Sequence, residues 1–232
     1  MMKQFFTLFF SFVWVLFLNA CASPVNSVSF NQEKSEAIWQ QRQQSLSTIQ
    51  DWHMKGRMVV VNGVELWSMS VDWKQQGEQF VIFLAGPFGA GKVQLAGGVN
   101  GVLLKNADEQ VFYAETPEEL LLEHTGVAMP LSLLRFWMLG LPNPKDMKNQ
   151  ETLDVLKLDA LGRLESLSLA SNGSLPWDIN FLRYTSIDKT TTSSTTSSAT
   201  PMQLPEKIFI NQGADIKVRV VVGEWLFDNS SS

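Results

Sequence analysis

Three groups of residues have types and spacings that could do chemistry: a glycine-rich segment ending in lysine, a lone cysteine, and two histidines near a run of glutamates. In the first, Gly86 and Gly91-Lys92 fit the opening of the pattern G-x-x-x-x-G-K-[ST], in which backbone amides cradle phosphates and the lysine reaches the terminal ones. The next residue breaks the pattern, because Val93 stands where a hydroxyl should hold magnesium. Val93-Gln94-Leu95 then alternates as a strand does, so no helix N-terminus follows to hold an anion. The same residues also read as a tight connection between two strands. Pro87 presets the turn, Gly86 and Gly89 permit positive φ, and Phe88 is at the tip. From the residues alone, a projecting Phe88 and one folded back onto its own domain are equally supported.

Cys21 is the only cysteine and follows a characteristic leader. Lys3 supplies a positive n-region, and Phe5 to Leu18 is an apolar run of about 14 residues, roughly 21 Å as a helix against a hydrocarbon thickness of about 30 Å. Such a run is a signal peptide, not a membrane span. Leu18-Asn19-Ala20-Cys21 is similar to a bacterial lipobox. A secreted chain with one cysteine has no internal disulfide partner, and lipidation of Cys21 accounts for it, since two or more acyl chains anchor a protein stably. Ala22, in place of aspartate, implies passage to the outer membrane by the general behaviour of bacterial lipoproteins.

The remaining candidates point away from catalysis. Nucleophilic chemistry needs a base beside the nucleophile, and His53 and His124 read as surface residues at a strand start and on a helix. No paired histidine spacing supports zinc, so no metal and no cofactor are expected. Glu118, Glu119 and Glu123 form a solvated helix face with N-terminal dipole support. The formal net charge of −5 excludes a nucleic-acid binder, which needs a basic face.

The elements that must position these residues follow from periodicity. Residues 1–20 are the signal peptide, 21–31 a lipidated tether, 32–228 a single domain with a flexible Ser/Thr loop at 188–201, and 229–232 a polar tail. Asn31 to Gln50 predicts a helix presenting Trp39, Arg42, Leu46 and Ile49. From Trp52 the period becomes two, with Trp67, Met69, Val71 and Trp73 on one face, and short strands separated by turn residues continue to Ala114 as an antiparallel meander. Thr116, Pro117, Glu119 and Gly126 spell a capped helix. Pro130 opens another, with a stripe of Leu131, Leu134, Met138 and Leu141 too apolar to lie loosely on a surface. Strands resume at Leu153 and run to Phe227, where Ile216, Val218, Val220 and Val222 oppose Lys217 and Arg219. The Trp, Phe and Leu on this sheet read as core residue by residue, and together could line a pocket for an acyl chain.

Taken together, these residues resemble the LolB family over nearly the whole mature sequence. The resemblance rests on Ile38-Trp39-Gln40-Gln41, on Asp72-Trp73-Lys74-Gln75-Gln76-Gly77, on Leu131 to Pro142, and on tryptophans at 39, 73, 137, 177 and 225. It implies a mainly β fold, an open antiparallel half-barrel whose apolar cavity is covered by inserted helices. It implies an outer-membrane lipoprotein, anchored at Cys21 and facing the periplasm, that is not an enzyme. Such a protein accepts acylated lipoproteins from a LolA-like periplasmic carrier and inserts them into the outer-membrane bilayer. The turn Pro87, Phe88, Gly89 corresponds to the family's protruding loop, whose tip is normally leucine, and on that ground Phe88 is expected to be exposed and to engage the membrane. Acyl chains are expected between the sheet and the Leu131–Leu141 helix, against Trp73, Phe83, Leu95, Leu134 and Trp137, in a monomer. The competing expectation is a structural outer-membrane lipoprotein with a filled core and no transfer role.

Overall fold

Alternation of apolar and polar residues sets the architecture, because each strand must turn one face to a core and the other to water. The computed structural model describes residues 27–126, 129–148, 153–171, 174–187 and 201–227. The leader, Cys21, the polar tail and all but the last residue of the Ser/Thr segment lie outside the described residues. The strands are β1 (Asp51–Asn62), β2 (Glu65–Gln76), β3 (Gln79–Ala85), β4 (Val93–Gly98), β5 (Gly101–Lys105) and β6 (Val111–Ala114), then β7 (Leu153–Leu158), β8 (Leu164–Ser171), β9 (Ser174–Ile187), β10 (Met202–Gln212) and β11 (Ile216–Leu226).

They form one antiparallel sheet in the order β6-β5-β4-β3-β2-β1-β11-β10-β9-β8-β7. Two meanders are thus joined through β1 and β11, paired from His53–Leu226 to Asn62–Ile216. β6 and β7 are the sheet edges, so the half-barrel is open as expected. A register shift opposite Lys55 and Gly56 leaves Gly223 as an extra residue on β11. The bulge reverses the phase of that strand, and Trp225 therefore turns inward against Trp52, 5.6 Å between ring centroids.

Antiparallel pairing places the β1–β2, β3–β4, β5–β6 and β10–β11 connections at one end of the sheet, which we call the tip, and the β2–β3, β4–β5 and β7–β8 connections at the other, the base. The first and third helices lie at the base, and the second runs from it toward the tip, its end at Gly126 close to Asn62. Helix α1 (Ser27–Ser47) starts four residues before the expected Asn31 and ends three before Gln50. It buries Trp39 and Leu46. It also sits so closely on the β7–β8 turn that a Cβ at Gly162, where φ is +63°, would lie 2.8 Å from Ile38 and from the Ser35 carbonyl oxygen.

Helix α2 (Pro117–Thr125) has the expected ends. Thr116 Oγ1 accepts from Glu119 N, the Glu119 carboxylate accepts from Thr116 N, and Gly126 closes the helix with φ +69°. Helix α3 (Leu131–Met138) buries Leu131, Leu134, Trp137 and Met138. It is tied to α2 by Ser132 N, which donates to Glu118 Oε1 at 2.8 Å, and to the β2–β3 turn by Arg135, whose two terminal nitrogens donate to Glu78 at 2.9 and 3.1 Å. Its far end turns at Gly140, φ +73°, where a Cβ would lie 3.2 Å from Pro205 and 3.3 Å from the Tyr184 hydroxyl. α3 therefore bridges the base of the sheet, from the β2–β3 side to β9 and β10. A short helix α4 (Pro144–Lys148) follows, which periodicity did not predict because five residues carry less than two turns of pattern.

Candidate functional site

Two surfaces bring the predicted residues into play, the β3–β4 connection at the tip and the concave face of the sheet. The connection is a single 3₁₀ turn, Pro87–Gly89. Gly86 N donates to Ala90 O at 2.8 Å and Gly89 N to Gly86 O at 3.0 Å, so the backbone satisfies itself and asks nothing of the Phe88 side chain. Phe88 is 111% exposed. It also carries the left-handed backbone, φ 58° and ψ 20°, a conformation that costs an L-residue roughly 1–2 kcal/mol. Of the two glycines expected to take a positive φ, Gly89 does, at +79°, while Gly86 is extended at φ −68° and Phe88 takes the left-handed conformation. Val93–Gly98 is a strand and not a helix, in agreement with rejection of a phosphate loop.

Four of the five residues expected at an acyl site share one apolar cluster on the concave side. Trp73 is 2% exposed, Leu95 1%, and Leu134 and Trp137 0%. The fifth is misplaced: Phe83 is 47% exposed on the outer face. The two-residue turn at Gly77-Glu78 pairs Gln76 with Gln79 and hence Trp73 with Ile82, so Phe83 opposes Asp72 and shares its outward face. Ile82, 3% exposed, takes the inward position. The signal was present in the turn length, which fixes register and with it which residues share a face.

Polar partners on the concave side are uneven. Trp73 Nε1 donates to Gln75 Oε1 at 3.0 Å, and Gln75 Nε2 to Gly77 O at 2.8 Å. Trp137 Nε1, by contrast, is buried with no hydrogen-bond partner among the described residues. A stranded donor of this kind costs about 1–3 kcal/mol. Under the end of α3, Tyr184 is held between Arg42 and Arg163, whose guanidinium carbons lie 5.4 and 4.7 Å from its ring centre, and its hydroxyl donates to Leu164 O at 2.8 Å. Burial pushes the Tyr184 phenol well above its usual range and lowers Arg42. This cluster locks α1, the β7–β8 turn and the sheet together at the base.

The concave face is sealed unequally across the sheet. On β1, β10 and β11 it is buried up to the tip, with Met58, Val60, Ile210, Val218 and Val220 all sealed, whereas on β2, β3 and β4 Trp67, Met69, Leu84 and Val93 are only half-buried. The less sealed flank is the one that carries Phe88.

The histidines do not enter either surface. His53 Nε2 is 2.7 Å from Asp72 Oδ1 in a cross-strand pair on the outer face, and the His124 ring lies tilted against Phe112, 4.2 Å between ring centres. A separate cleft of about 670 Å³ on the outer face at the base, lined by Val81, Ala96, Leu103 and Tyr113 among others, contains none of the predicted residues.

Comparison with known proteins gives a consistent picture. The family described as outer membrane lipoprotein LolB matches residues 50–225. The outer-membrane lipoprotein LolB of Nitrosococcus oceani is 34% identical over 90% of this chain and 92% of its own. That of Alkalilimnicola ehrlichii is 31% identical, again over 90% of this chain and 92% of its own. Among solved structures, a domain from Vibrio parahaemolyticus described as an outer membrane lipoprotein-sorting protein aligns with TM-score 0.53 at 11% identity, over 86% of this chain and 94% of its own, a likeness of fold alone.

Proposed function

The chain belongs to the family of the outer-membrane lipoprotein LolB, and on that premise we propose that it receives acylated lipoproteins from a LolA-like periplasmic carrier and releases them into the outer membrane. It is an outer-membrane lipoprotein, and among the described residues no helix is long and apolar enough to cross a membrane. Lipidation at Cys21 supplies the anchor in this reading, and the domain works as a monomer facing the periplasm.

Energetics require such a route. Exposing an acyl chain costs about 0.8 kcal/mol per methylene, on the order of 12 kcal/mol for sixteen carbons, so cargo must pass from one apolar compartment to another. The concave face is the compartment, with Trp73, Ile82 and Leu95 on the sheet as its wall and Leu134 and Trp137 on α3 as its lid. α3 occupies that space in this structure, and entering chains displace or lift it, exchanging one apolar contact for another. The half-buried flank of β2, β3 and β4 beside Phe88 is the mouth.

The observation that carries the reading is Phe88 itself. A fully exposed aromatic side chain, on a turn closed by backbone bonds from Gly86, Gly89 and Ala90, held in a conformation that disfavours it, has no role in folding. Inserted among lipid chains it has one. Transfer of an acylated lipoprotein from the carrier to this protein, and onward to liposomes, tests the proposal with Phe88→Glu beside the wild type. The variant is expected to accept cargo normally and deliver it at least about tenfold more slowly. Failure of both proteins to accept cargo favours the filled structural lipoprotein instead.

A further inference from the structure

Phe88 is not the only apolar side chain that the tip holds out to solvent. Val64, in the β1–β2 turn, is 102% exposed, and Leu66 beside it is 64% exposed. Val61 pairs with Leu66 across the hairpin on the same outer face, which makes the end of the hairpin an apolar wedge. Asn62 pairs with Glu65, so the turn is Gly63-Val64; Gly63 takes the positive φ of +59°, and the second position, which makes no backbone demand on its side chain, carries the valine. Nothing in the fold requires a valine there.

The wedge stands at the same end as Phe88 and is rigidly mounted. Ser70 pairs with Ala85, so β2 continues six residues past that pair to Val64 while the chain after β3 continues three to Phe88, and both project toward the tip on neighbouring strands, the β1–β2 hairpin reaching further. Gly63 N donates to Asp215 O at 3.1 Å, joining the β1–β2 tip to the β10–β11 tip. Asn62 lies 4.0 Å from where a Cβ at Gly126 would be, at the end of α2. Leu175, 60% exposed, packs against Gly213 and extends the apolar rim across β9 and β10.

We propose that Val64 and Leu66 form a second membrane contact, which enters the bilayer surface together with Phe88 and sets the tilt of the half-barrel so that its less sealed β2–β4 flank faces the lipid. The inference rests on the membrane reading of Phe88. A bilayer is the occupant that fits, because the apolar groups sit on separate turns with polar backbone between them. A fluid interface accepts several such wedges at once, whereas a protein partner needs one continuous matched surface. Charge at the tip is mixed, with Glu65 and Asp215 near Lys217, so attachment depends on apolar insertion and not on anionic lipid.

The test uses the full lipidated chain anchored in phosphatidylcholine vesicles that contain chain-brominated lipid. Single cysteines replace Val64, Leu66, Phe88 or Val99 and carry an environment-sensitive fluorophore; Val99, 78% exposed at the base, is the control. Labels at 64, 66 and 88 are expected to be quenched and blue-shifted, and the label at 99 to be neither. Quenching at 88 without quenching at 64 and 66 overturns this proposal and leaves the membrane role of Phe88 intact. Absence of quenching at all tip positions overturns the membrane reading itself. As a second variant, Val64→Ser with Leu66→Ser, at exposed sites where folding is untouched, is expected to slow cargo delivery about tenfold at either low or high salt. An unchanged delivery rate overturns the proposal as well.

Discussion

Trp137 and Phe88 mark opposite treatments of the same kind of side chain. At the base, an indole on the inner side of α3 is 0% exposed even though its N–H has no partner among the described residues, while at the tip a phenyl ring is 111% exposed on a strained backbone. Each region departs from what stability alone would choose, in opposite directions. The base tolerates a stranded polar group inside an apolar compartment, and the tip tolerates apolar groups outside one. A protein that hands an acyl chain from a cavity to a bilayer needs both, since its interior must accept replacement contacts and its surface must favour lipid over water.

The contrast can be broken most forcefully at the base. Leu134→Ala removes a side chain with no exposed surface and should lower unfolding free energy by about 2–5 kcal/mol in a urea titration. A loss well below that range would mean that the space under α3 collapses easily. Next come the two tryptophans. Trp73→Phe strands Gln75 Oε1, which is buried, and should cost about 1–3 kcal/mol, whereas Trp137→Phe removes an unpaired donor and should cost less than its neighbour in the same assay. Equal losses would erase the distinction between a satisfied wall and an unsatisfied lid.

At the tip the sign reverses. Phe88→Gly relieves a left-handed residue and should raise stability by up to about 1 kcal/mol while cargo delivery falls, a trade that calorimetry and transfer kinetics together would reveal. A variant that delivers as well as wild type would make the strain incidental. The smallest effect belongs to Asp146 on α4, whose buried Oδ2 has no partner and whose pKa burial raises. A carboxyl with a raised folded pKa binds its proton more tightly when folded, so stability falls as pH rises from the unfolded pKa of about 3.9 through the folded value and is level above it. Asp146→Asn should flatten that fall and slightly raise Tm at neutral pH, with no change at pH 3.

Much of this was legible in local pattern. Alternation placed Trp67, Met69, Val71 and Trp73 on one face, and the Thr116–Glu119 capping box and Gly126 delimited α2, because such signals act within a few residues of one another. Phe83 went to the wrong face because strand assignment alone leaves parity open. The short turn at Gly77-Glu78 settles parity by cross-strand register. α4 was missed for want of length, and the inward turn of Trp225 for want of a bulge that only pairing with β1 reveals.

By itself the sequence determined the strands, the capped helices, the apolar character of α3 and the presence of an aromatic at a turn, since these depend on residues close along the chain. Only the tertiary structure decided that α1 and α3 lie at one end of the sheet, that Phe88, Val64 and Leu66 share the other, and that the concave face is less sealed on the β2–β4 flank than on β1, β10 and β11. Those facts depend on how β1 meets β11 and how α3 bridges the base, contacts between segments far apart in the chain that no local periodicity encodes.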